Sequence, residues 1–193
     1  MNSPIVILDA CVLFPAPLRD FLMHLALLDV FQARWTDEIH AEWIRNVLKM
    51  RPDLTEKQLN RTKDLMNSHI RDCLVENYEH LIDKLSLHDE NDRHVLAAAI
   101  QTKAEIILTF NLRDFPNDIL EKHNLKAISP DKLLSELFDS NEENFNLAFE
   151  RQLKSLKNPP KTAEELLQIL ESQRLEKTIE KLRNYRNKAE TSL

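Results

Sequence analysis

The stretch PIVILDACVL, residues 4–13, decides the fold of this chain. Its apolar, β-branched run Ile5–Leu8 is typical of a strand buried on both faces of a sheet, and it leads directly into Asp9. A second such run, Ile106–Phe110, leads into the polar residues Asn111 to Asp114. Because ligands bind beyond the carboxyl ends of parallel strands, both runs indicate a site at that edge of the sheet.

Segments with helical periodicity lie between the predicted strands, a pattern that indicates a parallel sheet with helices on both faces. We therefore expect a three-layer α/β/α fold with a central parallel sheet. Two further strands are predicted at 30–35 and 127–128. The predicted helices are 18–28, 37–50 after the N-cap Thr36, 55–72, a short one ending at 85, 92–102 with Asn91 as its cap, and 130–138.

We predict two parts, a domain over residues 1–138 and a C-terminal helical extension over residues 139–193, although the charge asymmetry between the two ends of the chain does not by itself decide this. Residues 1–150 carry a balance of −10, whereas residues 151–193 carry +4. The extension has an apolar stripe that Pro159-Pro160 interrupts, and Thr162 with Glu165 resembles a capping box that opens its next helix. Such a charged, amphipathic segment is better suited to docking on another surface than to folding alone.

The composition excludes several classes of protein. Glycine is absent, which excludes the glycine-rich phosphate loops of the Walker and dinucleotide-binding types. No apolar run reaches the length of a membrane span, and the amino terminus lacks the basic region of a signal peptide. The two cysteines, Cys11 and Cys73, have no metal-ligand spacing and are expected to be reduced, mostly buried thiols. We expect a cytoplasmic protein with no membrane contact.

Four carboxylates are candidates for a metal site. Asp9 and Asp114 follow predicted strands, whereas Glu42 and Asp92 lie on predicted helices that flank the sheet. Each also has a plain structural explanation: a helix cap for Asp9, a surface charge for Glu42, a first-turn residue for Asp92 and a turn residue for Asp114. Together, however, they would form a set of hard oxygen ligands that suits Mg²⁺ or Mn²⁺, and paired metals of this kind catalyse in-line phosphoryl displacement.

Three motifs resemble those of the PIN-domain family, over about residues 4–138. They are IVILDACVL at 5–13, DENDRHVLAAA at 89–99 and TFNLRDF at 109–115, and they are most similar to PIN toxins of VapBC-like toxin–antitoxin modules. The resemblance implies a divalent-metal-dependent endoribonuclease with an acidic quartet made of Asp9, Glu42, Asp92 and Asp114. Asp89 competes with Asp92 for the third position or could be an outer ligand of the metal, and Asp37 or Glu38 could replace Glu42. Thr109 and Asn111 could contact a metal-bound water or a neighbouring carboxylate. Alternatively, Thr109 is only part of the strand and Asn111 only forms the turn.

The same resemblance implies partners: an RNA substrate, with tRNA and mRNA as candidates, a cognate antitoxin that offers Arg or Lys to the carboxylates, and a second copy of the chain in a homodimer. Arg93 and Arg113 could contact phosphate or neutralise the acidic residues, and His94 is expected to be packed or exposed. One alternative function is a catalytically inactive PIN-like module that binds RNA or protein. Another is a phosphotransferase with an aspartate nucleophile, although Cys11 stands where that chemistry commonly has a second acid.

Overall fold

The computed structural model describes residues 3–191, and these contain a four-stranded parallel sheet. Its strands are β1 (Ile5–Leu8), β2 (Gln32–Arg34), β3 (Ile106–Leu108) and β4 (Lys126–Ile128), in the order β2-β1-β3-β4. Helices flank this sheet, which confirms the predicted three-layer α/β/α class. The central strands β1 and β3 are fully apolar and almost wholly buried, as expected for strands covered on both faces.

Two of the strands are shorter than predicted, for local reasons. Val30 follows Asp29, whose left-handed backbone (φ 55°) makes the turn into β2, and Trp35 forms only an isolated bridge with Leu74. β3 ends at Leu108 because the N–H of Phe110 is directed to the sulfur of Cys11, 3.2 Å away, and not to a neighbouring strand. The strand end is therefore turned toward the segment that follows β1.

The helices follow the predicted pattern closely: α1 (Ala10–Leu13), α2 (Ala16–Ala26), α3 (Asp37–Met50), α4 (Glu56–His69), α5 (Glu79–Ile82), α6 (Arg93–Gln101), α7 (Asn117–Leu120), α8 (Pro130–Phe138), α9 (Glu142–Ser155), α10 (Ala163–Glu171) and α11 (Glu176–Thr191). Thr36 caps α3 as predicted, since its hydroxyl accepts the N–H of Ile39 at 3.0 Å. The capping box at Thr162 is also confirmed.

The predicted cap at Asn91 is wrong. Asp89 takes the capping role, because its Oδ1 accepts hydrogen bonds from both the backbone N–H and the side-chain amide of Asn91, each 2.9 Å long. These bonds wind a 3₁₀ turn over Glu90–Asp92, and the α-helix begins one residue later, at Arg93. Asp92 consequently lies at the junction of the turn and the helix.

The C-terminal helices pack against the rest of the chain. α9 lies on α2, where Gln152 donates a 3.0 Å hydrogen bond to the carbonyl of Pro17, and α11 lies on α8. Asp131 of α8 caps α11: its Oδ1 accepts the N–H of Thr178 at 2.9 Å and the hydroxyl of the same residue at 2.8 Å. One hydrophobic core continues through these contacts. The predicted domain boundary after residue 138 stays a prediction.

Turns that commonly use glycine are built here from other residues. Six described residues have left-handed backbone: Asp29, Asp72, Asn77, Lys103, Asn124 and Arg174. Asn and Asp tolerate this region better than most residues, but Lys103 and Arg174 gain no such local compensation.

Between residues 3 and 191, no helix combines the length and the apolar character that crossing a membrane requires.

Candidate active site

The sheet register brings Asp9 and Thr109 side by side. Leu8 of β1 pairs with Leu108 of β3, so the next residue of each strand lies at the same carboxyl edge. The N–H of Asp9 continues the ladder to the carbonyl of Leu108 (3.1 Å), and the hydroxyl of Thr109 donates to Oδ2 of Asp9 at 2.6 Å. Both side chains are buried. The structure thus places these two predicted residues in direct contact.

Asp9 lies at the N-cap position of α1 without acting as a cap. Its backbone is extended there (φ −68°, ψ 155°), but its carboxylate accepts no capping hydrogen bond from the helix. The carboxylate is directed instead to the end of β3, with only 4% of the residue exposed. The structural explanation considered for Asp9 therefore does not account for its side chain.

Cys11 is a contact of Asp9 that the sequence did not indicate. Its sulfur lies 3.1 Å from Oδ2 of Asp9 and 3.3 Å from the hydroxyl of Thr109. Burial, together with the nearby charge of Asp9, raises the pKa of the thiol to about 12. Cys11 is thus a protonated group beside the carboxylate and not a nucleophile.

The neighbouring carboxylates affect the pKa of Asp92. Burial, followed by the charges of Asp9, Asp114, Asp89 and Glu42 in that order, raises its pKa from 3.8 to about 7. Like charges disfavour the ionised form, so the other three members of the quartet act on Asp92 in the same direction as burial does. Asp92 also makes no capping hydrogen bond at the start of α6, which leaves its carboxylate available.

Glu42 approaches the quartet from α3 and is half-buried. Burial raises its pKa, and the largest contribution from a charge is that of Asp9, which Arg45 opposes. His94 lies between two acids of this helix, with Nε2 3.8 Å from Glu42 and Nδ1 3.7 Å from Glu38. His94 was expected to be either packed or exposed, and it is buried. Burial lowers its pKa, which favours the neutral ring.

The remaining predicted residues lie at the rim of the site. Asp114 ends a 3₁₀ turn over Leu112–Asp114 and is half-buried, whereas Asp89 is exposed and occupied as a cap. Asn111 is exposed, and its backbone N–H donates a 2.9 Å hydrogen bond to the hydroxyl of Thr109. Asp89 and Asn111 are therefore less well placed than Asp92 and Thr109.

The nearby basic residues do not neutralise the quartet. Arg93 pairs with Glu90 at 2.6 Å, and Arg113 is exposed. Asp37, the other possible replacement for Glu42, is paired with Lys63 at 2.6 Å. In the part of the chain that the structure describes, no Lys or Arg forms an ion pair with a member of the quartet. Among the described residues, the quartet is thus held without an ion pair to Lys or Arg, and Arg45 acts on Glu42 only at longer range.

The donor chemistry of the quartet fits a hard divalent cation. Carboxylate oxygens are the ligands that Mg²⁺ and Mn²⁺ prefer, and a cation would relieve the repulsion that, after burial, raises the pKa of Asp92. Across residues 3–191, however, no three His, Cys, Asp or Glu side chains are arranged closely enough to form a ready-made metal site. The carboxylates are therefore near one another without being drawn together around a common centre.

A separate cavity of about 770 Å³ lies between α2, α4 and the helices α9 and α10. Its lining includes Met23, Leu65 and Leu166 and contains no member of the quartet. The carboxylate site is therefore distinct from this apolar cavity.

Comparisons with known proteins agree with these features. Residues 5–113, more than half of the chain, match the family described as PIN domain, and residues 130–184 match the family described as VapC50 C-terminal domain. A curated protein of Mycobacterium tuberculosis, "Putative ribonuclease VapC50", is 38% identical over 96 residues. The aligned region covers 50% of this chain and 56% of that protein, so about half of each is compared. No solved structure matches the chain.

Proposed function

We propose that this chain, which belongs to the PIN-domain family, is a divalent-metal-dependent endoribonuclease and the toxin of a type II toxin–antitoxin module. The observation that carries the proposal is the acidic quartet at the carboxyl edge of the sheet. Burial and the repulsion between these carboxylates raise the pKa of Asp92, and no described Lys or Arg forms an ion pair with the quartet. A site of this kind is suited to binding Mg²⁺ or Mn²⁺.

Each residue of the site has a distinct task in this mechanism. Asp9, held by Thr109, would be the central ligand, and Asp92 and Asp114 would complete the ligand set from the start of α6 and the turn after β3. Glu42 would orient the attacking water or hold a second ion, and burial favours the neutral form of His94 beside it. A bound cation would supply Lewis-acid stabilisation of the phosphoryl oxygens and would activate a water for in-line attack.

The substrate and partners follow from the same proposal. The relative's printed name supports a ribonuclease, and we infer an RNA substrate, such as a tRNA or an mRNA, recognised through shape and single-stranded loops. A cognate antitoxin would offer Arg or Lys to the uncompensated carboxylates. We also propose a homodimer that acts in the cytoplasm.

The test is cleavage of a structured RNA by the full chain with Mg²⁺ or Mn²⁺, comparing wild type with Asp9→Asn. We expect the substitution to abolish cleavage, because it removes the charge of the central ligand while keeping its shape. Asp64→Asn is the matched control, since Asp64 is an exposed residue of α4 outside the quartet. Full activity of Asp9→Asn, or of wild type in excess chelator, would contradict the mechanism.

A second candidate, an inactive PIN-like module that binds RNA or protein, is favoured by one observation. The described carboxylates do not form a ready-made metal site. Binding of Mn²⁺ or of RNA without turnover, under every metal condition, would support this candidate over the nuclease. The phosphotransferase alternative is less well supported, because Cys11 is hydrogen-bonded to Asp9 where a second acid would be needed.

A further inference from the structure

The two oxygens of the Asp9 carboxylate are in different surroundings. Oδ2 accepts the hydroxyl of Thr109 at 2.6 Å and lies 3.1 Å from the sulfur of Cys11. Among the residues that the structure describes, no hydrogen bond ends on Oδ1. One oxygen is therefore occupied by protein donors, whereas the other is available to a ligand.

The sulfur of Cys11 is held in place by the segment that directly follows β3. It accepts the backbone N–H of Phe110 at 3.2 Å and lies 3.3 Å from the hydroxyl of Thr109. Cys11 belongs to the first turn of α1, and Phe110 directly follows Thr109 at the end of β3. The sulfur thus links the segments that follow both central strands, and its S–H is directed to the carboxylate between them.

We propose that Cys11 is a positioning residue that, together with Thr109, holds Oδ2 of Asp9 and so orients the carboxylate to bind a divalent cation. This inference rests on the proposed metal-dependent function. Groups that hydrogen-bond to a metal ligand orient it and tune its affinity, although they never touch the metal. Cys11 would therefore affect binding of the ion through the orientation of Asp9.

Affinity for Mn²⁺, measured by isothermal titration calorimetry on the full chain, tests this role. Cys11→Ala removes the donor, and we expect binding to weaken about tenfold. Cys11→Ser keeps a donor on the same Cβ, so it should recover most of that loss. Cys73→Ala is the matched control, because it truncates the second, buried cysteine, whose hydrogen bond goes to the carbonyl of Asn67. It should bind Mn²⁺ as wild type does.

A second measurement needs no metal. In excess chelator, the melting temperatures of wild type, Cys11→Ala, Asp9→Asn and the double variant form a double-mutant cycle. If the thiol donates to the Asp9 carboxylate, the two substitutions share one interaction, and the double variant loses less than the sum of the single losses. Additive losses would show that the thiol and the carboxylate act independently.

The outcomes separate this inference from the proposed function. Wild-type affinity in Cys11→Ala overturns the role of Cys11 and leaves the nuclease proposal standing. Equal losses in the Ala and Ser variants would overturn it as well, because they would indicate packing and not hydrogen bonding. If wild type binds no Mn²⁺, the proposed function fails and with it the metal-directed role, while the cycle still decides whether Cys11 orients Asp9. If Cys11→Ala does not fold, Cys11→Ser decides alone: retained affinity supports the role and a tenfold loss refutes it.

Discussion

The hydrogen bond from Thr109 to Asp9 should make a measurable contribution to stability. Thr109 is fully buried, Asp9 is 4% exposed, and the bond is 2.6 Å long. Thr109→Val keeps the branched shape but removes the donor, and hydrogen bonds to charged groups contribute roughly 1.5–3 kcal/mol. We therefore expect the free energy of unfolding to fall by about 2 kcal/mol. For a chain of this size, that is a fall of about 4–8 °C in melting temperature.

The assay is thermal unfolding in excess chelator near pH 7, where bound metal makes no contribution. Thr109→Ser is the control: it keeps the hydroxyl and loses only a buried methyl group, at a cost of about 0.8 kcal/mol. The valine variant should consequently be the less stable of the two. If Thr109→Val is as stable as Thr109→Ser or more so, the hydroxyl does not stabilise the Asp9 carboxylate and the argument from the strand ends is refuted.

Three further predictions concern the quartet and the C-terminal helices. Because the pKa of Asp92 is raised from 3.8 to about 7, the metal-free folded state still holds a proton at pH values where the unfolded state has lost it. Stability should therefore fall as the pH rises from about 3.8 to about 7. Urea unfolding should show this dependence on pH in wild type and not in Asp92→Asn. Glu42→Gln should lower the rate of RNA cleavage about 100-fold, as loss of a water-orienting group does. The control, Glu38→Gln, should keep most of the activity. Equal effects of the two substitutions would show that Glu42 has no special role in the mechanism. Asp131→Ala deletes the cap of α11 and should cost about 1 kcal/mol of unfolding free energy, and an unchanged melting temperature would show that the cap is unimportant.

The placement of Asp9 beside Thr109 could be predicted from the sequence because parallel pairing leaves little freedom. Once Ile5–Leu8 and Ile106–Leu108 are neighbouring strands in register, the residues that follow them meet at one edge. Periodicity likewise placed Glu42 on a helix, but it did not show that Asp9 makes the largest charge contribution to its raised pKa. That relation depends on how α3 packs, which a one-dimensional pattern does not contain.

The remaining features depend on side-chain orientation. Cys11 was expected to be a buried thiol, and only the structure shows its sulfur between Asp9, Thr109 and Phe110. Asn91 and Asp89 both have capping side chains, and their local geometry decided in favour of Asp89. The Asp131 cap joins residues far apart in the chain, so no local pattern could indicate it.

The absence of glycine affects the unfolded chain as well as the turns. Glycine is the residue that loses the most conformational freedom on folding, and a chain without it has a more restricted unfolded ensemble. The left-handed backbone at Lys103 and Arg174 is a strain on the folded state, of roughly 1–2 kcal/mol per residue. The lower entropy of the unfolded chain offsets part of this strain, so the same composition that strains the turns also makes unfolding less favourable.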